Sequence, residues 1–473
     1  MFIESQWYSL DIDNHDNYSI NSNINYNNGD TLITFQTSEL IQHLKSRNKR
    51  VVPIIIDLEC LDKQMSQEGK EFKEYSEWKA IHSLKHHKII NSDFIITKDN
   101  FKILLENLSI LFNELYTRDE EEKTRFENIE SKINKIIYSR QYRGININPD
   151  IAKQKCVEIE KEIYRIKNIL QLEYNIFSPQ NENTQLKYLQ SKKYNVIKSF
   201  QYSFKVRRNQ DIICNYFYDL LRNQNDLDSL IYMLSHWGGK DLTYPSFLGF
   251  GTISSRIVMR QPALQNLRRQ NRIVIIPDDG KKFLYVDYVQ FEAGILASMS
   301  DDDKLINLYN SDIYEDIADK LLGDRSKRSD AKVIFYRFMY GDNTLEQKAK
   351  TYFSNFSKLI TFKNNIENEI TQKTRIGTLE GNYRISLDKE TSWSLSHVIQ
   401  SNASLIYKKA LIRVKQEILE IQFLIPMHDG TLYQVRNEKY DEISKRVENI
   451  YIEEFKKFCP KLNPRVIIKD NFS

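Results

Sequence analysis

The stretch Val286-Asp287-Tyr288-Val289-Gln290-Phe291-Glu292, VDYVQFE, closes an apolar run, Phe283-Leu284-Tyr285-Val286. An apolar run of that length ending on a carboxylate reads as a buried strand that presents Asp287 from its end. A second carboxylate, Asp429, stands between two further apolar runs, Phe423-Leu424-Ile425 and Leu432-Tyr433-Gln434-Val435. That pattern predicts a hairpin built around His428-Asp429-Gly430, with Gly430 expected to supply turn freedom. Two carboxylates offered from strand ends make a platform for a pair of divalent cations. Such a pair activates an attacking hydroxyl and stabilises a leaving phosphate oxygen. Between the two strands lies RSDAKVIFYRFMYG at 328–341, in which Arg328, Lys332, Tyr336 and Tyr340 recur every fourth residue. On a helix this spacing gives one gently drifting stripe, cationic at one end and aromatic at the other. A stripe of that chemistry facing a metal platform suits a nucleoside triphosphate.

Each of these features has a plainer explanation when taken alone. An Asp after an apolar strand is more often a turn or cap residue than a metal ligand, and His-Asp-Gly makes an ordinary hairpin turn. An Arg and a Lys one helical turn apart are usually a solvated face. Order and context along the chain are what raise the set above these alternatives.

The surrounding sequence bounds the answer. A chain of 473 residues exceeds one ordinary core and divides into roughly two to four subdomains. Its 41% hydrophobic and 12% aromatic content suffices to build them. No apolar run is long enough to span a membrane, and the N-terminal MFIESQWYSL lacks a basic-then-apolar signal, so a soluble, cytoplasmic protein without a membrane partner is expected. Cys60, Cys156, Cys214 and Cys459 show no paired spacing and read as core thiols. Basic and acidic residues nearly balance, 68 against 64, so overall charge neither demands nor excludes nucleic acid. Locally, Arg256, Arg260, Arg268, Arg269 and Arg272 cluster just before the Asp287 strand, where a nucleic-acid backbone would need neutralising. Heavy use of Asn, Ile, Lys and Tyr points to an AT-rich genome.

Composition divides the chain into zones. Residues 1–125 begin with an Asn-rich polar stretch and continue through strand-like runs such as Val51-Val52-Pro53-Ile54-Ile55-Ile56. The charged run RDEEEKTR at 118–125 reads as the boundary to a helical zone at 126–240. There Cys156, Ile159, Ile163, Ile166 and Leu170 follow the three-four spacing of an amphipathic helix opened by Asn148-Pro149-Asp150. A coiled-coil dimer seam is the alternative, disfavoured because the pattern barely fills three heptads. Residues 241–300 return to strand and loop, helices dominate 301–415, and the hairpin strands follow at 416–473.

Taken together, these motifs resemble the polymerase half of family A DNA polymerases, the bacterial DNA polymerase I type. VDYVQFEAG resembles that family's first palm motif, DYSQIELR, with Asp287, Tyr288, Gln290 and Glu292 in register. The 328–341 stretch is similar to its fingers helix, and PMHDG to its second palm motif, normally His-Asp-Glu. SSRIVMRQPALQNL at 254–267 is similar to TGRLSSxxPNLQNI, aligning Arg256, Pro262, Gln265 and Asn266. TLEGNYR at 378–384 resembles a TxxGRRR loop, Gln400 fits a minor-groove Gln, and FENIE with RGININ resembles the entrance to the thumb.

The resemblance implies an α+β right-hand fold with an antiparallel-sheet palm and helical thumb and fingers, preceded by a small α/β N-terminal domain. Its thumb would be 126–240, its palm 241–300 and 416–473, and its fingers and connecting helices 301–415. It further implies template-directed extension of a primer 3′-hydroxyl with dNTPs on primer–template DNA. Asp287 and Asp429, with the carbonyl of Tyr288, would hold two Mg²⁺ ions, Mn²⁺ substituting. Lys332 joins the two aspartates as a catalytic residue. Arg328, Lys332, Tyr336, Gln290, Glu292 and Tyr340 would bind the dNTP, Glu292 as the steric gate against a ribose 2′-hydroxyl. Tyr336 can replace the missing 3′-hydroxyl of a dideoxynucleotide, so ready acceptance of these is expected. Arg256, Gln265, Asn266, Gln400 and His428 would bind DNA, Arg256 and Gln400 through minor-groove acceptors.

Departures accompany the match. Gly430 stands where the family has Glu, Gly294 where it has Arg, and Ser396 where it has Asn, and the 332–429 spacing implies trimmed fingers. At the N-terminus, Asp57 and Glu59 have the DxE form of a proofreading exonuclease and are candidates for its remnant, with Asp93 and Asp119 as later carboxylates. A strand-end acidic pair is far commoner, and proofreading is not expected. The enzymatic rival is a single-subunit RNA polymerase, against which Glu292 argues. A catalytically weakened DNA-binding relative is the other alternative, and Gly430 is the residue that raises it.

Overall fold

The computed structural model describes residues 2–3, 6–27, 29–47, 52–68, 101–196, 199–235, 241–342, 344–386 and 391–472. Val51 and Asp93 therefore lie outside the described residues. The chain forms two compact units. One comprises Met1–Tyr142, Phe247–Val258 and Gly280–Asp470; the other comprises Arg143–Ser246, Met259–Asp279 and Asn471–Ser473.

The heart of the first unit is a four-stranded antiparallel sheet in the order Gln422–Pro426, Gly430–Arg436, Lys281–Tyr288, Val466–Lys469. The Lys281–Tyr288 strand alternates as period-two geometry requires. Leu284, Val286 and Tyr288 are buried, whereas Tyr285 and Asp287 are only half-buried. The buried face packs on the helix Tyr440–Phe458, where Tyr288 meets Tyr451 and Phe455 at ring-centroid distances of 5.1 and 5.4 Å. The Tyr288 hydroxyl donates to the Tyr451 carbonyl at 3.0 Å. Tyr285 and Asp287 are thereby left on the opposite face. The long helix Ser394–Glu417 packs beside Tyr440–Phe458 and the helix Phe291–Ser300.

Gly294 is explained by this packing. A Cβ there would come within 2.7 Å of the Tyr309 ring and 2.9 Å of the Phe455 ring. An arginine at that position has no room.

The N-terminal segment of the same unit has a three-stranded antiparallel sheet, Phe2–Ile3, Gln6–Leu10 and Tyr18–Asn21, and a parallel pair, Thr31–Thr34 with Ile54–Asp57. Its core gathers Ile56, Leu58, Leu61, Leu104, Leu108 and Leu111 from strand and helices.

The charged run at 118–125 is not a solvated linker. Glu122 and Arg125 are buried inside the first unit. Glu122 accepts hydrogen bonds from the Tyr383 backbone N–H at 2.7 Å and from Gln64 at 2.9 Å, and burial pushes its carboxyl up to about 7. Arg125 donates to Glu130 at 3.1 Å, to Ser255 at 3.0 Å and to the Glu380 carbonyl at 2.9 Å. Lys408 reaches the other Glu130 oxygen at 2.5 Å. Charges that look like a solvated linker are matched by partners far along the chain, which composition cannot reveal. The unit accordingly runs on to Tyr142.

The second unit is helical. Asn148 caps the helix Pro149–Leu172 by accepting from the Asp150 and Ile151 N–H groups. The stripe Cys156, Ile159, Ile163, Ile166 and Leu170 is buried as its spacing predicts. It packs within the chain against the helix Ile212–Ser235, so no partner chain is needed to cover it. All four cysteines are free and buried. Among the described residues, no helix is long and apolar enough to cross a membrane.

Candidate active site

Register brings the two predicted carboxylates together. In the Lys281–Tyr288 and Gly430–Arg436 pairing, Asp287 lies opposite Gly430, so Asp429 stands at the very next position. The Tyr288 N–H donates to the Asp429 carbonyl at 3.2 Å, and the Met427 N–H to the Gly430 carbonyl at 2.8 Å, closing the hairpin around His428. Burial, and then the Asp429 charge, push the Asp287 carboxyl up to about 6. Like charges held close in a desolvated place are what a bound cation relieves. Asp429 Oδ1 is also buried without a hydrogen-bond partner. Among the described residues, no three His, Cys, Asp or Glu side chains gather as a metal cluster. The donor set is therefore an aspartate pair with nearby main-chain oxygen, which suits hard cations such as Mg²⁺.

Gly430 differs from its expected role. It has no left-handed φ, so turn freedom is not why it is there. A Cβ at this position would lie 2.2 Å from the Val286 carbonyl oxygen and 2.9 Å from Asp287 Cα. Glycine lets the two strands approach at the carboxylates.

The helix Arg328–Met339 carries the predicted stripe, and Tyr340 sits at its C-cap. Tyr336 and Tyr340 stack at 6.0 Å. The Lys332 ammonium lies 5.7 Å from the ring centres of both Tyr314 and Tyr336, and its charge favours ionised Asp287 and Glu292. Arg328 donates to Asp312 at 2.9 Å and covers the Tyr314 ring at 5.0 Å. Gln400, on Ser394–Glu417, donates to the Tyr340 hydroxyl at 2.7 Å.

Glu292 is buried on the first turn of Phe291–Ser300 and is ion-paired with Arg256. Burial pushes its carboxyl up and Arg256 pulls it back. The predicted gate and the predicted minor-groove arginine are thus one buried pair beside Tyr336. Gln290 is held by main-chain groups of the following helices. Its amide donates to the Tyr309 carbonyl at 3.4 Å and accepts from the Ile313 N–H at 2.9 Å, so it braces the next helix. His428 is exposed in the hairpin turn. Ser396 donates to the Trp393 carbonyl at 2.8 Å.

Gln265 and Asn266 belong to the second unit. There Gln265 accepts from the Met259 N–H at 3.2 Å, and the Asn266 carbonyl accepts from Arg222 at 3.3 Å. Arg268 is committed to Asp226 at 2.7 Å, and Arg272 covers Phe472 at 4.7 Å, so this part of the basic cluster serves the unit's own packing.

The DxE pair of the N-terminal segment is built differently. Asp57 caps the helix Leu58–Ser66, with one oxygen accepting from the Cys60 N–H at 3.0 Å and the other from Thr37 at 2.6 Å. Glu59 is buried beside Lys63 at 3.5 Å. Asp119 caps the helix Glu120–Arg125 and also pairs with Arg375 at 2.6 Å. Helix capping accounts for Asp57 and Asp119.

Sequence reasoning missed three residues. Tyr314 is the ring between Arg328, Lys332 and Tyr336. Asp312 holds Arg328. The Tyr285 hydroxyl donates to Asp287 Oδ2 at 2.8 Å. Period-two alternation was a signal for the last, since it puts 285 and 287 on one face.

Comparison with known proteins bears on this arrangement. The family model described as DNA polymerase family A matches residues 147–463. DNA polymerase I of Caldicellulosiruptor bescii is 25% identical over 420 residues, covering 76% of this chain and 49% of that protein. DNA polymerase I of Borreliella burgdorferi is 25% identical over 430 residues, covering 76% of this chain and 47% of that protein. The chain thus spans about half the length of these curated relatives. The solved POL domain of Pol1 from M. smegmatis, in complex with DNA primer-template and dNTP, superposes with a TM-score of 0.70 at 15% identity. That match covers 92% of this chain and 85% of the other, and shows that the two share the α+β polymerase fold.

Proposed function

The chain belongs to DNA polymerase family A, and from that membership we propose that it is a template-directed DNA polymerase extending a primer 3′-hydroxyl with dNTPs. The observation that carries the reading is the meeting of Asp287 and Asp429 on neighbouring strands, close enough for one to raise the other's pKa. Lys332 adds its charge to the same site.

Asp287, Asp429 and the Tyr288 carbonyl would hold two divalent ions. When bound, such ions lower the pKa of the attacking hydroxyl and neutralise charge developing on the triphosphate. The chain itself supplies position and electrostatics. Lys332 would contact the triphosphate as a point charge. Arg328 would do so as a planar fork once its tie to Asp312 exchanges for phosphate. Glu292, fixed by Arg256, would present a buried wall to the sugar and exclude a ribose 2′-hydroxyl. Tyr336 would offer its hydroxyl to a sugar lacking the 3′-hydroxyl. Tyr340 and Gln400, hydrogen-bonded to each other, would face the nascent base pair. Arg256, Gln265, Asn266 and His428 would contact primer–template DNA.

In this assignment the thumb is the helical zone at 126–240, the palm 241–300 with 416–473, and the fingers and connecting helices 301–415. Proofreading is not part of the assignment, because both Asp57 oxygens are committed to hydrogen bonds that build the fold.

The test is primer extension on primed DNA with Mg²⁺, run separately with dNTPs and rNTPs. Extension with dNTPs that is lost in Asp287→Asn supports the assignment. No extension by the wild type, or equal use of rNTPs, would overturn it.

A further inference from the structure

Tyr285 sits two residues before Asp287 in one strand, so both side chains leave the same face of the sheet. On that face the position directly across from Asp287 is Gly430 and the position across from Tyr285 is Leu432. Neither offers a hydrogen-bonding side chain. On the other flank, Asp287 lies opposite Ile467, and Tyr285 opposite Lys469. Asp287 thus has no polar cross-strand neighbour directly opposite it. The charges of Lys332 and Lys469 act on it from other elements, and the hydrogen bond it accepts comes from its own strand, through the Tyr285 hydroxyl at 2.8 Å from Oδ2.

Resting on the proposed polymerase reading, we infer that Tyr285 is a positioning residue that takes the place of the missing carboxylate at 430. The phenol acts on Asp287 by geometry. It fixes the carboxylate rotamer by engaging one oxygen, leaving the other uncommitted. A carboxylate held in one orientation binds a divalent ion more tightly than one free to turn. Groups that orient metal ligands in this way commonly change metal affinity by about 10-fold or more when removed.

Tyr285→Phe keeps the ring and deletes only the hydroxyl. Four full-length proteins are compared: wild type, Tyr285→Phe, Asp287→Asn and the double variant. Mn²⁺ binding without DNA or nucleotide is followed by the paramagnetic resonance of free Mn²⁺. Melting temperature and the Mg²⁺ dependence of primer extension complete the set. The expectation is that Tyr285→Phe weakens Mn²⁺ binding and raises the Mg²⁺ requirement by about 10-fold, with an unchanged melting temperature. In the Asp287→Asn background the same change should add less than about a two-fold effect, because Tyr285 acts through Asp287.

Unchanged Mn²⁺ binding in Tyr285→Phe overturns the inference, as does an equal loss in the Asp287→Asn background. Primer extension that survives in Asp287→Asn would instead overturn the polymerase assignment on which the inference rests.

Discussion

Two acidic residues in this chain end apolar strands, and their fates differ. Asp57 follows Ile54-Ile55-Ile56 and has both oxygens occupied, one by a helix N-terminus and one by Thr37. Asp287 follows Phe283-Leu284-Tyr285-Val286 and stands next to a second carboxylate, with Asp429 Oδ1 buried and unpartnered. The first arrangement completes the fold. The second works against it, because like charges are gathered where water screens them poorly. What separates a capping aspartate from a candidate ligand is how its oxygens are used, not the strand that presents it.

The largest effect expected from this contrast is catalytic. Asp287→Asn or Asp429→Asn should reduce single-turnover primer extension by about 1,000-fold or more, while leaving the metal-free melting temperature at pH 7 unchanged or higher. A loss of stability in either variant would place that residue with Asp57 and break the contrast.

Gly430→Ala should come next. Its Cβ meets backbone at Val286, which cannot turn aside as a side chain can, so a loss of about 1–3 kcal/mol in urea unfolding is expected. Primer extension should fall with it, since the same shift moves Asp429 away from Asp287. Normal stability in Gly430→Ala would show that the strands have slack at this point.

Asp57→Ala should do the reverse of Asp287→Asn. It removes a helix cap and leaves the Cys60 N–H and Thr37 hydroxyl unmatched, lowering stability by about 1–2 kcal/mol. The rate of primer extension should stay within about two-fold of wild type at a temperature where both are folded, an effect too small to count as catalytic. Wild-type removal of a mismatched 3′ terminus, abolished by Asp57→Ala, would sink the capping assignment.

The smallest effect is a pH dependence. Asp287 binds its proton more tightly in the fold, at about 6, than in an unfolded chain, at 3.8. Ionised Asp287 therefore disfavours the metal-free fold above about pH 6, and that penalty vanishes as pH falls toward 4. Asp287→Asn should melt higher than wild type at pH 8, and the gap should narrow on going to pH 5. A gap that widened on acidification would contradict the raised carboxyl.

Much of this contrast was legible in the sequence, and the reasons are local. The 328–340 stripe could be seen because helical spacing writes itself every fourth residue. Asp287 could be seen because an apolar run marks a strand end. The pairing of Arg256 with Glu292 could not, since it is set by tertiary packing and not by any period. The burial of the charged run at 118–125 was hidden for the same reason: the partners of Glu122 and Arg125 come from distant segments. Tyr285 was counted only as one more apolar residue, although alternation had already placed it beside Asp287. Gly430 was assigned a turn when its actual constraint is a neighbouring carbonyl, which no single-strand pattern displays.

That carbonyl also bears on how this chain can change from here. With 2.2 Å between the Val286 oxygen and any Cβ at 430, no single substitution can restore a glutamate there without moving two strands at once. Variation at the site is therefore freer at the residues around the glycine than at the glycine itself.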